Sequence, residues 1–258
     1  MPIHPTAIID PKTQIAADAE IGPYCVIGAN VSVGPRTRLM SHVVLEGKLT
    51  IGEDNVFYPF CSCGVAPQDK KYHGEASETT IGNGNNIREF VTIHRGTEGG
   101  GMRTAIGNHN LLMAYVHVAH DVIIHNSTIL ANGVTFAGHV TVEDYANIGG
   151  LSAIHQFCRI GKHAIIGSRS VIKQNVLPFS QTASDHESKV YGANRVGLQR
   201  SGFAAEAIEP LQNAFRLLSN AGLNTSQALS RIEAEIPQTA EVKELLDFIR
   251  SSERGFVK

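Results

Sequence analysis

An aliphatic residue returns at every sixth position along most of this chain, and that period restricts the fold before any single residue is considered. From Ile3 the series runs Ile9, Ile15, Ile21, Ile27, Val33, Leu39, Leu45, Ile51, Phe57 and Cys63, and it resumes at Ile81, Ile87 and Ile93. One residue out of phase, it continues from Ile106 through Leu112, Val118, Ile124, Leu130, Phe136, Val142, Ile148, Ile154, Ile160, Ile166 and Ile172. Glycine often follows (Ile21-Gly22, Ile51-Gly52, Ile148-Gly149), and a small residue such as Ala19, Cys25, Val43 or Ala146 stands four places after the aliphatic one. Six matches neither the 3.6-residue turn of a helix nor the alternation of a plain strand. It predicts a hexapeptide β-helix in which each hexad gives one short strand and one corner.

The bulk properties agree. The chain has 258 residues, a net charge of -2, no Trp and 6% aromatic residues, a composition suited to a narrow interior lined by small branched side chains. The near-neutral charge supplies no basic face for nucleic acid. No apolar run approaches the roughly 18–20 residues of a membrane span, and no charged-then-apolar leader opens the chain. Cys25, Cys61 and Cys158 fall at the small fifth position of their hexads and Cys63 at a first position, so they read as buried hydrophobes in a reducing compartment, without a C-x-x-C pair. The expectation is a cytoplasmic protein.

Residues 1–183 are expected to form the β-helix and residues 184–258 a helical domain. Two segments interrupt the count, 64–80 and 97–105; loops ejected from a repeat array tend to gather on a working face. The series stops at Pro178. Beyond it, apolar spacing predicts helices over Phe203–Asn220, from an N-cap at Thr225, and over about Thr239–Ser251, with Gly222 as a stop. These helices are expected to cover the open end of the coil, where strand edges would otherwise be unpaired.

Three hexads make a triangular turn, so residues eighteen apart stack at the ~4.8 Å strand spacing. The hexads beginning at Val118, Phe136 and Ile154 then share a face, with His94 and Arg95 one coil earlier. His117 falls at the corner before them, and a cluster of His117, His120, His139 and His155 with Asp121 and Gln156 assembles from distant segments. His109, His125 and His163 read as solvated surface residues. The cluster admits two chemistries: general-base catalysis by an imidazole that Asp121 orients, or a metal site of the kind found in carbonic-anhydrase-like β-helices.

Specific segments carry a family resemblance. His117-Val-Ala-His120-Asp121, Ala137-Gly138-His139-Val140, Ile154-His155-Gln156-Phe157-Cys158, Val91-Thr92-Ile93-His94-Arg95-Gly96-Thr97 and the loop Pro67-Gln68-Asp69-Lys70-Lys71-Tyr72 closely resemble the UDP-N-acetylglucosamine acyltransferases that begin lipid A synthesis. The likeness runs to Arg254-Gly255. It implies a left-handed parallel β-helix with a C-terminal α-helical extension, assembled as a homotrimer with grooves between subunits. It also implies transfer of an R-3-hydroxyacyl chain from acyl carrier protein to the 3-hydroxyl of UDP-N-acetylglucosamine. No cofactor is implied beyond the phosphopantetheine of the donor, and no metal.

By the same resemblance, His120 matches the general base, Asp121 the carboxylate that orients it, and Gly138 the backbone oxyanion donor. Gln68, Asp69 and Lys71 match loop residues that hold the sugar nucleotide. His117, His139, His155 and Gln156 match residues lining the groove, and Asn194 and Arg200 match the nucleotide side. Ser168 stands where the family sets acyl-chain length. Three features depart from the family: Ser184-Asp185-His186-Glu187-Ser188 in place of a Gly-Asn turn, an extra residue before Gly192, and Ser201 in place of an arginine. They leave a 3-amino sugar open as acceptor. Acyl carrier proteins are acidic, which makes Arg200, Arg216 and Arg231 the candidate docking residues.

Overall fold

The computed structural model describes residues 3–185, 187–220 and 222–258. Its hexads fold into two- to four-residue strands that stack as three sheets; with a longer hairpin added to the third, the sheets have nine, eight and ten strands among the described residues. The first face runs from Ile8–Ile9 to Val171–Ile172, the second from Gln14–Ile15 to Arg159–Ile160. The third runs from Glu20–Ile21 through Ile165–Ile166 and on into a hairpin. The architecture is the left-handed parallel β-helix with C-terminal helices that the family resemblance implied. Register follows the eighteen-residue rule: Val118 pairs beside Phe136, and Phe136 beside Ile154.

The first residue of most two-residue strands faces out and the second faces in, which turns the hexad into a core. Leu45, Cys63, Ile93, Val118 and Phe136 are each 0% exposed. Fully burying one such side chain is worth about 1.5–3 kcal/mol, and truncating Phe136 to Ala would cost about 3–5 kcal/mol. All four cysteines are buried, and burial pushes the Cys61 thiol up to about 12, as suits inert packing residues. Where the fifth position is polar, it is satisfied. The Asn55 Oδ1 accepts from Asn85 N and Nδ2, Asn85 Oδ1 accepts from Asn110 N, and Asn110 Oδ1 accepts from Thr128 N and Oγ1. This interior ladder fixes vertical register as well as any apolar contact.

Corner residues take left-handed backbone angles, among them Phe60 (φ 67), Asp121 (φ 59), His139 (φ 62) and His163 (φ 54). Such angles are uncommon outside glycine, and the repeating neighbours above and below hold them. At the corner before the first face, His42, Phe60, Phe90 and Tyr115 stack at centroid separations of 4.9–5.0 Å, the rung spacing itself.

Several expectations are corrected. Both ejected loops are shorter than the broken count suggested, because strands at Ser62–Val65, Glu78–Ile81 and Arg103–Ile106 extend into them. His117 lies in a strand (His117–Val118), facing out, not at a corner. His163 is not solvated: it is 6% exposed, stacked on Tyr145 at 4.6 Å and met edge-on by Phe203 at 5.0 Å.

After the coil, a hairpin of Ser180–Asp185 and Glu187–Ala193 adds to the third face, its first strand parallel to Ile165–Ile166. The edge of Ile165–Ile166 is therefore paired by a strand, where a helix was expected, and Glu187–Ala193 becomes the outermost strand of that sheet. A bulge stands at Tyr191, beside Gly192: Gln181 pairs with Gly192 but Thr182 with Val190. His186, in the departing stretch, lies outside the described residues. Among the described residues four helices follow: α1 Arg195–Arg200, α2 Ala205–Leu218, α3 Thr225–Glu235 and α4 Ala240–Arg250. The spacing did not reveal α1. Helix α2 ends at Leu218, with Ser219 as its C-cap, short of Gly222, and α3 is capped by Asn224 rather than Thr225, in a reciprocal box with Gln227. Thr239 caps α4 as its position suggested.

Candidate active site

A groove of about 540 Å³ opens on the first face, lined by Gln68, His94, His117, His120, Gly138, His155, Gln156 and Lys173, with Thr135, Ala153 and Val171 along its floor. The stacking rule explains its composition. Position 120 lies one rung above position 138, and 156 one rung below that, so three segments far apart in sequence meet within about 10 Å.

His120 and Asp121 form the centre. The His120 Nδ1 lies 2.8 Å from Asp121 Oδ2, and a carboxylate oxygen only accepts, so the proton sits on Nδ1 and the Nε2 lone pair is the ring's base. Asp121 is 5% exposed, so its charge would be costly without partners. The second ejected loop supplies them: Thr97 N donates to Oδ1 at 2.9 Å and Thr97 Oγ1 to Oδ2 at 2.5 Å. Gly100 presses on the carboxylate closely enough that a Cβ there would collide with it. Asp121 N in turn donates to Thr104 Oγ1 at 2.8 Å. The loop over 97–102 therefore clamps the residue that orients His120.

Gly138 lies beneath the ring. A Cβ on it would fall 2.5 Å from His120 Cε1 and 2.7 Å from Nε2, so only glycine leaves the imidazole and a ligand room against the backbone. Among the described residues, no protein acceptor takes the Gly138 N–H.

Around this centre burial disfavours the charged form of three other histidines, His139, His117 and His94. His139 meets His120 edge-to-face at 5.1 Å and stacks on Phe157 at 4.4 Å. Burial lowers its pKa against the pull of Asp121. Burial also lowers His117, whose Nδ1 shares a 2.7 Å hydrogen bond with Thr92 Oγ1. His94, missed as a site residue, is 4% exposed and packs edge-on to His117 at 4.9 Å. Burial, with His117 and His120 nearby, takes it down to about 4.

The first ejected loop reaches the same groove. Arg95 holds it, donating from Nε to Tyr72 Oη at 2.8 Å. Gln68 lines the cavity, and Asp69 Oδ2 stands 3.9 Å from His120 Nε2. Lys71 is exposed, outside the lining, with its N–H on Asp69 Oδ1. Lys173, at the far end of the lining, was missed; its signal was its place eighteen residues below His155.

Other expected site residues lie elsewhere in the protomer. Ser168 is exposed on the corner between the third and first faces. Asn194 caps α1 through Gly197 N and donates to His163 O at 3.0 Å. Arg200 is exposed at the end of α1. Among the docking candidates, Arg231 is paired with Glu235 at 2.7 Å, whereas Arg216 shares a cavity of about 330 Å³ with Arg195 and Gln199.

Ligand atoms of His120, Asp121 and His139 lie within 4.8 Å of one another, the span a metal site needs. Both Asp121 oxygens already accept from Thr97, and Oδ2 also from His120, which suits a carboxylate that orients an imidazole better than one donating to a metal.

Comparison with known proteins gives the same placement. Residues 175–257 match the model of the second domain of UDP N-acetylglucosamine O-acyltransferases, and residues 3–35 and 103–138 match bacterial transferase hexapeptide repeats. The acyl-[acyl-carrier-protein]–UDP-N-acetylglucosamine O-acyltransferase of Thermodesulfovibrio yellowstonii is 50% identical over 256 residues, covering 99% of both chains. That of Stenotrophomonas maltophilia is 43% identical, covering 99% of this chain and 97% of the relative. The crystal structure of the Moraxella catarrhalis UDP-N-acetylglucosamine O-acyltransferase superposes with a TM-score of 0.95 at 42% identity over 100% of each chain. The Arabidopsis UDP-N-acetylglucosamine acyltransferase does so at 0.87 and 32% identity, over 99% of this chain and 100% of that one. With this coverage and the same coil and tail, the chain belongs to the UDP-N-acetylglucosamine O-acyltransferase family.

Proposed function

We propose that this groove transfers an R-3-hydroxyacyl group from acyl carrier protein to the 3-hydroxyl of UDP-N-acetylglucosamine, the first step of lipid A synthesis. The observation that carries the reading is the His120–Asp121 pair set directly against the Gly138 backbone. A sugar hydroxyl is a weak nucleophile at neutral pH, so its proton must leave as it attacks. His120 Nε2 takes that proton, and the imidazolium that forms is stabilised by Asp121. In this reading the Gly138 N–H, which no protein acceptor takes among the described residues, donates to the oxygen of the tetrahedral intermediate. Collapse breaks the C–S bond, and the imidazolium returns the proton to the departing pantetheine thiolate. Such base catalysis is worth roughly 10²–10⁴-fold.

Gln68 and Asp69 hold the sugar in this reading, with Lys71 swinging in to the diphosphate. His117, His139, His155 and Gln156 line the sugar and pantetheine parts of the groove. Asn194 and Arg200 lie away from the groove of their own protomer, which supports a homotrimer in which a neighbouring copy brings them and Ser168 to the substrate and acyl chain. Residues 1–183 carry the chemistry, and residues 184–258, with Arg200 and Arg216, receive the acidic carrier protein. Among the described residues no helix is long and apolar enough to cross a membrane, which is compatible with a reaction run in the cytoplasm on soluble donor and acceptor.

The test is acyl transfer with purified acyl carrier protein loaded with 3-hydroxyacyl chains. Wild-type protein should acylate UDP-N-acetylglucosamine, and His120→Ala should lose about 10³-fold in kcat with the oligomer unchanged by light scattering. Wild-type turnover in that variant, or no transfer by the wild type, would overturn the assignment.

A further inference from the structure

The tail of the chain returns to the groove. After α4, Gly255 and Val257 straddle Asn175 of the last coil. Asn175 N donates to Gly255 O at 3.2 Å, and Val257 N to Asn175 O at 2.9 Å. Phe256 bridges to Asn175, and Val257 is 3% exposed. Gly255 has φ 70, and a Cβ on it would press on Gln174 Nε2 at 3.1 Å, so the turn requires glycine. This anchorage delivers Arg254 to the groove's lower end, where Nη2 lies 2.9 Å from His155 Nδ1 and Nε donates to Lys173 O at 3.3 Å. His155 and Lys173 both line the groove.

The chemistry of this contact is directional. A guanidinium has donors only, so His155 Nδ1 must accept, and the ring proton must sit on Nε2. The Gln156 carbonyl lies 3.2 Å from the same Nδ1 and would require the opposite tautomer. The two demands compete, and the closer, charged donor prevails, because charge-assisted hydrogen bonds are roughly twice as strong as neutral ones. Without the guanidinium, the carbonyl would draw the proton to Nδ1 and leave Nε2 as a bare lone pair.

We propose that Arg254 is a positioning residue, which fixes His155 in the Nε2–H tautomer so that the ring offers a donor to a ligand oxygen in the groove. The claim about the ring's role rests on the groove reading above; the claim about the tautomer does not. It assigns the tail a part in substrate binding, although residue 254 is 99 positions from the imidazole it controls.

Two measurements on the full-length protein separate these claims. In the first, histidine is 15N-labelled and long-range 1H–15N spectra locate the ring proton, with His155→Gln assigning the signal. Wild-type His155 should carry its proton on Nε2, and Arg254→Met, which keeps an apolar stem and offers no donor, should move it to Nδ1 under the pull of the Gln156 carbonyl. A wild-type proton on Nδ1, or no change in Arg254→Met, would overturn the proposal whatever the protein's activity. In the second, acyl-transfer kinetics of Arg254→Met should show KM raised about tenfold with kcat within about threefold, since a contact kept in ground and transition states alike acts on KM. Arg254→Lys, which keeps a donor, should recover to within about threefold. In an Arg254→Met/His155→Gln double variant the two losses should not add, because one acts through the other; additive losses would make Arg254 merely structural and overturn the proposal. Should Arg254→Met fail to fold, the wild-type spectrum and Arg254→Lys still decide.

Discussion

Three histidines occupy equivalent corner positions and meet different ends. His109 and His163 lie on one vertical edge of the coil, three turns apart, and His139 lies on the next edge; all three have left-handed backbone angles between φ 54 and φ 62. His109 is exposed. His163 is sealed between Tyr145 and Phe203, and burial, with Lys162 adjacent, lowers it to about 4. His139 stacks on Phe157 and faces the groove beside His120. The hexad decides where a residue points; segments outside the repeat decide what surrounds it there. For His163 that segment is Phe203 in the link between α1 and α2, and for the His120 centre it is the loop at Thr97.

The comparison breaks most severely at Gly138. If the groove corner differs from the other edges by making room for chemistry, then Gly138→Ala should abolish it while the coil remains intact. A methyl group on the His120 ring must displace the ring, and misplacing a catalytic group by about 1 Å can cost 10²-fold. We expect kcat to fall by at least about 100-fold with an unchanged melting temperature. Comparable turnover in Gly138→Ala would mean that the backbone there has no part in the reaction.

His163 provides the next test, in stability. Its folded pKa lies below the ordinary value of about 6.5. Between those two pH values the unfolded chain binds more protons than the folded one, so stability rises with pH across the window. The contribution is complete above about pH 6.5 and is lost as pH falls toward 4. A shift of this size corresponds to about 3 kcal/mol, and His94, also lowered to about 4, adds a similar term. His163→Phe, which keeps a ring in the stack, should therefore remove about 3 kcal/mol of the acid destabilisation, leaving the part that His94, His117 and His139 contribute. Denaturant titrations at pH 7 and pH 4.5 measure it; an unchanged pH slope would show that the stack does not exclude the charged ring.

How much of this was legible in the sequence divides along the same line. The six-residue count placed Val118, Phe136 and Ile154 on one face and so brought His120, Gly138 and His155 together. It also gave the inward cysteines and the two ejected loops. It could not give the environment of His163, because Phe203 belongs to the non-repeating tail and its contact lies forty residues away. Helix α1 escaped notice because six residues with Gly197 inside carry little periodicity, although Asn194 is a good cap. The hairpin escaped because its strands end a repeat, and the Tyr191 bulge breaks their alternation. Arg254 was legible only as part of a resemblance, since nothing in its neighbourhood announces a contact with His155.

Thr97 sharpens the loop's half of the comparison. Its hydroxyl and N–H both donate to Asp121. Thr97→Val keeps the shape and the backbone donor but removes the hydroxyl, and a hydrogen bond to a buried charge is worth about 1.5–3 kcal/mol. We expect about that loss in unfolding free energy and about a tenfold fall in kcat, as Asp121 orients His120 less firmly. Loss of stability without loss of rate would reduce the loop to scaffolding.

The smallest effect is expected where no outside segment arrives. His109 shares its edge with His163 and its backbone angle, yet its ring is open to water. If neighbours rather than hexad position confer consequence, His109→Asn should change unfolding free energy by no more than about 0.5 kcal/mol and leave turnover as it is. Asparagine is the right replacement, because it tolerates the left-handed angle that alanine would strain. A change of about 3 kcal/mol, the size attached to His163, would place the consequence in the corner itself, and the reading of all three edges would have to be reversed.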